Sequence, residues 1–185
     1  MTLVELFYMN VEQRQKTLVA SQYAEQVLNL YQTQLEQDYL EDQFLDSLST
    51  ESIHQKVQNA VIDLTDEQAW MKALRILRAR LMFRWIWQDA NQLTNVVTLT
   101  RELSDFADAC ICAAKAFALV PLIAKHGEPI GYSGQVQDLI VIGMGKLGAQ
   151  ELNLSSDIDL IFAFDEQGET NGRKCIDVQQ FCILW

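Results

Sequence analysis

The chain has 185 residues, 49% of them apolar, with 14 Lys and Arg against 25 Asp and Glu, a formal net charge of -11 at pH 7. This length and apolar content suffice for one domain or slightly more. The acidic balance disfavours general binding to nucleic acids or to anionic membranes, because both require a basic surface. With only 2 prolines and 8 glycines, disorder and a turn-rich all-β fold are also disfavoured.

We find no targeting or membrane segment in the sequence. The first residues lack the basic region and apolar run of a signal peptide. The most apolar stretch, residues 109–124, is interrupted by Lys115 and Pro121 and falls short of the ~20 apolar residues that a membrane span needs. The four cysteines have no C-x-x-C spacing, which predicts reduced thiols. We therefore expect a cytoplasmic protein with no membrane partner.

Charge divides the chain into three sections. Residues 1–64 hold 3 basic and 10 acidic residues, residues 65–130 hold 8 and 7, and residues 131–185 hold 3 and 8. In the first section apolar residues recur near helical spacing among polar ones, which predicts acidic helices with one buried face. The residues of that predicted face are Leu18, Tyr23, Val27, Leu30 and Tyr31.

Two long helices are predicted in the second section. Thr65, followed by two acids and Gln68, has the pattern of a capping box and predicts a helix start. This helix runs to about Asn91, and a second follows over residues 96–125, with its end marked by Pro121, Gly127 and Pro129. The first helix has one continuous, mostly apolar face, formed by Leu74, Leu77, Leu81, Trp85 and Gln88.

Four arginines lie within ten positions of that helix: Arg75, Arg78, Arg80 and Arg84. They are open to two interpretations. They either form ion pairs with the acidic helices or remain solvated, or they make a basic wall that faces a phosphate or a partner.

The third section changes to strand periodicity. Residues 139–142 form a continuous apolar run, which predicts a strand buried on both faces. A glycine-rich turn follows, and residues 157–164 predict a second strand after a short helix. This change of pattern predicts a helical region over residues 1–130 and a second domain over residues 131–185.

The glycine turn fits two kinds of site. Gly143, Gly145 and Gly148 have the G-x-G-x-x-G spacing of a dinucleotide-binding loop, and Asp165 lies near the position of a ribose-binding acid. However, the crossover to the next strand has only about 14 residues, which leaves little room for a full helix. This interpretation also leaves Asp157 and Asp159 unexplained.

Asp157 and Asp159 are the stronger signal. Residues i and i+2 of a strand project to the same face, so the two carboxylates are expected side by side. Because neighbouring carboxylates repel, such a pair favours a cation between them. Mg²⁺ usually takes one or two carboxylates together with phosphate oxygens. With Lys146 and the glycine loop ten or so residues earlier, the pair predicts a site for metal-bound phosphates.

Residues 143–162, GMGKLGAQELNLSSDIDLIF, resemble the bifunctional glutamine synthetase adenylyltransferase/adenylyl-removing enzymes, within the DNA-polymerase-β-like nucleotidyltransferase superfamily. The arginine-rich helix and the segment Arg101–Ser104 are also similar to that family. The resemblance is good over residues 70–185 and looser over residues 1–69. The form of the motif is similar to the N-terminal, adenylyl-removing half of the family.

This resemblance implies a reaction and a set of residues. Phosphate would attack the AMP–tyrosine bond of adenylylated glutamine synthetase, which releases ADP. Asp157 and Asp159 would be catalytic Mg²⁺ ligands, and Gly143, Gly145 and Lys146 would bind nucleotide or phosphate. Ser156 would either join that site or cap the turn before the strand. The implied partners are glutamine synthetase, the PII signal protein, phosphate and ADP or ATP.

Two departures from the family pattern affect these expectations. Ala149 stands where the family usually has glycine, and the family's third carboxylate is expected beyond residue 185. We therefore expect the 185 residues alone to be inactive.

The predicted fold class is α+β, a mainly helical N-terminal region followed by the incomplete β-α-β start of a nucleotidyltransferase domain. Three alternatives remain open: adenylylation of glutamine synthetase from ATP, a dinucleotide-binding oxidoreductase, and a non-catalytic regulatory module.

Overall fold

A computed structural model describes residues 10–185, which form two compact units. The first is helical and contains the chain up to Phe106 together with Leu152–Leu154. The second contains Ala107–Glu151 and Ser155–Trp185. Helices dominate and the strands are few and short, so the predicted α+β class is confirmed. The predicted domains, residues 1–130 and 131–185, stay predictions.

Among residues 10–185, four helices precede the longest one: α1 (Val11–Ala20), α2 (Gln22–Asp42), α3 (Thr50–Val61) and α4 (Glu67–Ala90). Three of them begin at a polar side chain that accepts a hydrogen bond from the first turn, since the first N–H groups of a helix have no partner within it. Ser21 accepts from the N–H of Ala24, and Ser49 accepts from that of Ser52.

The start of α4 differs from the prediction by one residue. The N-cap is Asp66 and not Thr65, and its carboxylate accepts a 2.8 Å hydrogen bond from the N–H of Ala69. Both residue types can cap a helix, and the carboxylate also interacts favourably with the positive end of the helix dipole. The other end agrees with the prediction, because α4 ends at Ala90 with Asn91 as its C-cap.

An aromatic cluster forms the core between α2 and α4. Tyr39 meets Phe44 and Trp87 edge to face, with ring centroids 5.3 and 5.5 Å apart. Phe83 is fully buried in the same cluster. The predicted face of α4 is confirmed, because Leu77, Leu81, Trp85 and Gln88 are buried and Leu74 is half-buried.

The predicted face of the acidic helices is only partly correct. Val27 is buried as predicted, but Leu30 is 72% exposed and its neighbour Leu28 is buried instead. The positions that α2 buries are Ala24, Val27, Leu28 and Leu35. They have the i, i+3, i+4 spacing of one helical face, from which Leu30 is rotated away.

A buried polar network holds the loop between α2 and α3. The carboxylate of Glu102, 1% exposed, accepts hydrogen bonds from the N–H of Leu48 at 3.0 Å and from the indole N–H of Trp85 at 2.8 Å. The amide of Gln88 donates to the carbonyls of Phe44 and Asp46. Burial raises the pKa of Glu102, and the hydrogen bonds from Trp85 and Leu48 oppose this rise.

The longest helix, α5, spans Val96–His126 and continues through Pro121. The prediction that Pro121 contributes to ending the helix is therefore wrong, whereas Gly127 does end it, at φ 79°. Proline weakens a helix interior by removing one N–H donor. Pro121 is exposed, and the helix continues past it for five more residues.

By length and composition, α5 meets the criteria for crossing a membrane, and 11% of its most apolar stretch is buried. Helices of water-soluble proteins meet the same criteria, so length and composition alone do not assign a membrane span. The expectation that the protein has no membrane partner stays a prediction.

The second unit contains two antiparallel strand pairs. Strand β1 (Pro129–Gly131) pairs with β4 (Gly168–Thr170), and β2 (Ile140–Gly143) pairs with β3 (Leu160–Ala163). The short helix α6 (Gly145–Gly148) follows β2, and α7 (Val178–Leu184) packs on β1 and β4.

The prediction that residues 139–142 form a strand buried on both faces is wrong. Leu139 is buried, but Ile140 and Ile142 are each 45% exposed, and Phe162 on the partner strand is 60% exposed. Within residues 10–185, β2 has one partner strand, which leaves most of its apolar surface uncovered. A continuous apolar run cannot reveal which chain segment covers it.

Candidate functional site

The glycine-rich segment lies where β2 ends and α6 begins. The last ladder pair joins Gly143 to Leu160, and the next hydrogen bond runs from the N–H of Met144 to the carbonyl of Asp159, at 2.9 Å. The loop therefore begins directly across from Asp159. The structure thus places two of the sequence-predicted elements, the glycine loop and the aspartate segment, next to each other.

Two glycines are required by the shape of this loop. Gly145 has φ 53°, in the left-handed region that favours glycine, and a Cβ there would meet open space. Gly148 approaches the backbone of Gly143 so closely that a Cβ would lie 2.5 Å from its carbonyl oxygen. Gly145 therefore allows the turn, and Gly148 allows the chain to pass close to the backbone of Gly143.

Leu147 anchors the loop, a role that the sequence analysis missed. It is 2% exposed, and its side chain lies against Gly143. Its neighbour Lys146 is exposed, so the loop holds an apolar side chain inside and presents a cation to solvent. The signal in the sequence was a single leucine between Lys146 and Gly148, a common pattern that has no specific meaning by itself.

Asp157 and Asp159 do not lie on a strand, contrary to the prediction. Strand β3 begins at Leu160, and both aspartates precede it in an exposed segment. The ladder stops there because β2 ends at Gly143 and the loop turns away, which leaves residues 157–159 without a partner strand. Ile158 was predicted to face the core but is 42% exposed.

The donor set suits Mg²⁺ better than a softer metal. Two aspartates of one segment offer oxygen ligands, and Mg²⁺ takes one or two carboxylates with phosphate oxygens and water. No group of three or more His, Cys, Asp or Glu side chains with metal-ligand spacing occurs in the described part of the chain. Ser156 is half-buried immediately before Asp157. Its assignment to the phosphate site stays a prediction, as do those of Gly143, Gly145 and Lys146.

The dinucleotide-binding alternative does not fit this geometry. That motif needs two parallel strands joined by a full helix, whose N-terminus faces the pyrophosphate. Here β2 and β3 are antiparallel, and α6 between them has four residues. The G-x-G-x-x-G spacing over residues 143–148 therefore arises in a different architecture.

The arginines of α4 are divided between two environments. Arg80 binds Asp38 through two hydrogen bonds of 2.8 and 2.5 Å, and Arg84 forms a 2.7 Å ion pair with Asp42. Both acids lie on α2, as the ion-pairing interpretation predicts. Arg75 and Arg78 are exposed.

A family model described as glutamate-ammonia ligase adenylyltransferase matches residues 11–184. The chain is 78% identical over 179 residues, or 97% of its length, to a bifunctional glutamine synthetase adenylyltransferase/adenylyl-removing enzyme of Acinetobacter baylyi, of which it covers 19%. It is 44% identical to the enzymes of the same description from Thioalkalivibrio sulfidiphilus and Pseudomonas aeruginosa, over 69% and 70% of the chain and 13% of each relative. The chain thus spans about a fifth or less of these relatives.

Proposed function

Because this chain belongs to the glutamate-ammonia ligase adenylyltransferase family, we propose that its protein removes AMP from a tyrosine of glutamine synthetase by phosphorolysis. The observation that carries this proposal is the glycine loop directly across from Asp159, with Asp157 two positions earlier in the same exposed segment. The names of the relatives include both addition and removal of the adenylyl group. The choice of removal rests on the resemblance of residues 143–162 to the adenylyl-removing half.

The proposed reaction is a displacement at phosphorus. An oxygen of inorganic phosphate forms a bond to the phosphorus of AMP, the bond from that phosphorus to the tyrosine oxygen breaks, and the tyrosine oxygen takes up a proton. The products are ADP and unmodified glutamine synthetase. In such transfers a protein acts mainly by positioning and by neutralising charge.

Each residue of the candidate site has a part in this proposal. Asp157 and Asp159 would hold Mg²⁺, which when bound neutralises charge on the phosphate oxygens. Gly143 and Gly145 would let the backbone approach the phosphates, and Lys146 would add a positive charge from the exposed side of the loop. Ser156 would donate its hydroxyl to a phosphate oxygen.

We propose glutamine synthetase as the protein substrate, the PII signal protein as a regulatory partner, and phosphate, ADP and ATP as small-molecule ligands, in the cytoplasm. The relatives' descriptions support the first of these, because each names glutamine synthetase. The others rest on the family resemblance.

The deciding experiment uses the protein expressed from its complete reading frame. We would incubate it with adenylylated glutamine synthetase, Mg²⁺ and phosphate, and measure ADP release. We expect phosphate-dependent ADP that is lost in Asp157→Asn. Asp165→Asn is the matched control, since Asp165 is also exposed but lies beyond β3.

Two other results would contradict the proposal in different ways. Transfer of AMP from ATP onto unmodified glutamine synthetase, without ADP release, would assign the adenylylating reaction to this site instead. If neither reaction occurred even with PII protein added, the non-catalytic regulatory module would be the better description.

A further inference from the structure

The chain between the glycine loop and the two aspartates is anchored in the helical unit. Residues up to Glu151 and from Ser155 onwards belong to the second unit, whereas Leu152–Leu154 belong to the first. Leu152 is 5% exposed, and Leu154 packs against the aromatic core cluster of the helical unit. The connection between the two parts of the candidate site therefore contains three residues that the helical unit holds.

Ser104 on α5 makes a polar contact that holds this connection. It is fully buried, and its hydroxyl oxygen accepts a 3.2 Å hydrogen bond from the N–H of Leu152. The same hydroxyl donates to the carbonyl of Thr100 at 2.8 Å, which directs its proton to Thr100 and leaves a lone pair for Leu152. A buried backbone N–H needs an acceptor, and Ser104 supplies one that an alanine could not.

The segment that carries the aspartates is tied on both sides. Leu154 precedes Asp157 by three positions, and because an extended chain spans at most about 3.6 Å per residue, their Cα atoms stay within about 11 Å of each other. At the other end, the carbonyl of Asp159 accepts the 2.9 Å hydrogen bond from the N–H of Met144. Both aspartate side chains are exposed, and these two ties hold the backbone that carries them.

We propose that Ser104 is a positioning residue for the candidate metal site, on which it acts through the N–H of Leu152 and without touching substrate. Mg²⁺ requires a near-ideal octahedral arrangement of oxygen ligands, so a small displacement of one ligand weakens its binding. Loss of the Ser104 hydroxyl frees the connection to move, and Asp157 moves with it. This inference rests on the proposed function, because that function makes Asp157 a metal ligand.

The Mg²⁺ dependence of ADP release, measured with the protein from its complete reading frame, tests the inference. Ser104→Ala should raise the Mg²⁺ concentration for half-maximal rate about ten-fold or more, as expected when a group that supports a metal ligand is lost.

Thr17→Val is the matched control. Thr17 is also fully buried, and its hydroxyl donates to the carbonyl of Gln13, four positions earlier, and accepts from the side chain of Asn91. These hydrogen bonds join α1 to the C-cap of α4. Thr17→Val therefore removes a buried hydroxyl elsewhere in the same unit, and it should leave the Mg²⁺ dependence unchanged.

A second pair of variants keeps the test decisive if Ser104→Ala fails to fold. Leu154 and Leu93 are both half-buried against the same core cluster, so alanine at either position removes similar packing. Only Leu154→Ala should raise the Mg²⁺ concentration for half-maximal rate, because only Leu154 lies in the connection to the aspartates. Equal values in the two leucine variants would contradict the inference.

Amide hydrogen exchange gives a readout that does not depend on activity. Peptides that cover residues 152–159 should exchange about ten-fold faster in Ser104→Ala than in Thr17→Val, because the N–H of Leu152 loses its acceptor and the segment opens more often.

The failure of this inference can be distinguished from the failure of the proposed function. No ADP release from the unsubstituted protein would overturn the proposed function, and this inference with it. ADP release with the same Mg²⁺ dependence in Ser104→Ala and Thr17→Val would overturn this inference alone. Equal exchange over residues 152–159 in those two variants would do the same.

Discussion

Glu102 makes the stability of the helical unit dependent on pH. Burial raises the pKa of this carboxyl above its ordinary value of 4.5, so the folded state holds the proton more tightly than the unfolded state does. The stabilisation is therefore fully present below pH 4.5 and is lost as the pH rises through the folded-state pKa. We expect the free energy of unfolding to fall over that range.

Urea unfolding followed by tryptophan fluorescence, from pH 4 to pH 8, would measure this effect, with Trp85 as a reporter because it hydrogen-bonds Glu102. In Glu102→Gln, the free energy of unfolding should fall less steeply as the pH rises. Glu51→Gln should not have this effect, because hydrogen bonds lower the pKa of Glu51 and its contribution is lost only as the pH falls. A decline that persists in Glu102→Gln would show that another group causes it.

Asp159→Asn should separate activity from folding. Asp159 is exposed, so we expect the free energy of unfolding to change by less than about 0.5 kcal/mol. Activity should fall more than about 100-fold, since loss of an outer-shell partner of a metal alone costs about 10–100-fold. The measurements are ADP release at varied Mg²⁺ and thermal unfolding. A strongly destabilised variant would instead make the aspartate a structural residue.

The sequence identified unusual residues more readily than it predicted their surroundings. The sequence singled out Asp157, Asp159 and the arginines of α4 because their charges and spacing are unusual. It could not divide the arginines, because the acids that pair with Arg80 and Arg84 are 42 positions away along the chain.

At the level of elements, the glycine loop offers a matched pair of substitutions. Gly145 and Gly134 both have positive φ, at 53° and 83°, and both have open space where a Cβ would be. Alanine at either should cost about 1 kcal/mol of stability, from backbone strain alone. Only Gly145→Ala should also reduce ADP release, because only that residue lies in the candidate site. Equal activity in the two variants would contradict a phosphate-binding role for the loop.

The aromatic residues of the two units should differ in their effect on stability. Phe83 is fully buried in the core cluster, and we expect Phe83→Ala to lower the free energy of unfolding by about 3–5 kcal/mol. Phe162 on β3 is 60% exposed, so Phe162→Ala should cost much less. Chemical unfolding of the 185-residue chain would measure both. Similar losses would indicate that Phe162 is covered in solution.

Helices were predicted more accurately than strands, for a physical reason. A helix satisfies its own backbone, so periodicity and capping residues located α4 to within two residues at either end. A strand needs a partner, and the start of β3 at Leu160 depends on where β2 stops, at Gly143. Likewise, the exposure of Ile140 depends on which other segments pack on β2, and the residues of β2 themselves do not reveal this.

At the scale of the whole molecule, the net charge of -11 predicts that the chain does not bind polyanions such as DNA. We expect the chain not to retard duplex DNA in a mobility assay at about 0.15 M salt, where charges are screened beyond about 8 Å. Retardation that weakened with added salt would contradict this. It would direct attention to Arg75 and Arg78, which are exposed on α4.

The fold class and the family could be predicted from the sequence because they depend on features repeated along many residues or concentrated in a specific motif. The antiparallel pairing of β2 and β3 could not be predicted, because two strands with a connection between them can pair in parallel or antiparallel. That pairing is also what removed the dinucleotide-binding alternative.

The position of Asp157 and Asp159 outside the strand ladder affects how this site can change during evolution. Neither side chain is needed to complete the β2–β3 pairing, which begins with Leu160 opposite Gly143. Substitutions in residues 157–159 can therefore change the proposed metal site without first disrupting the fold. The glycine loop tolerates fewer substitutions, because Gly145 and Gly148 are needed for the shape of the turn as well as for the proposed function. Substitutions of the two acids should accordingly be selected against for lost activity alone, whereas substitutions of the glycines should be selected against for lost stability as well.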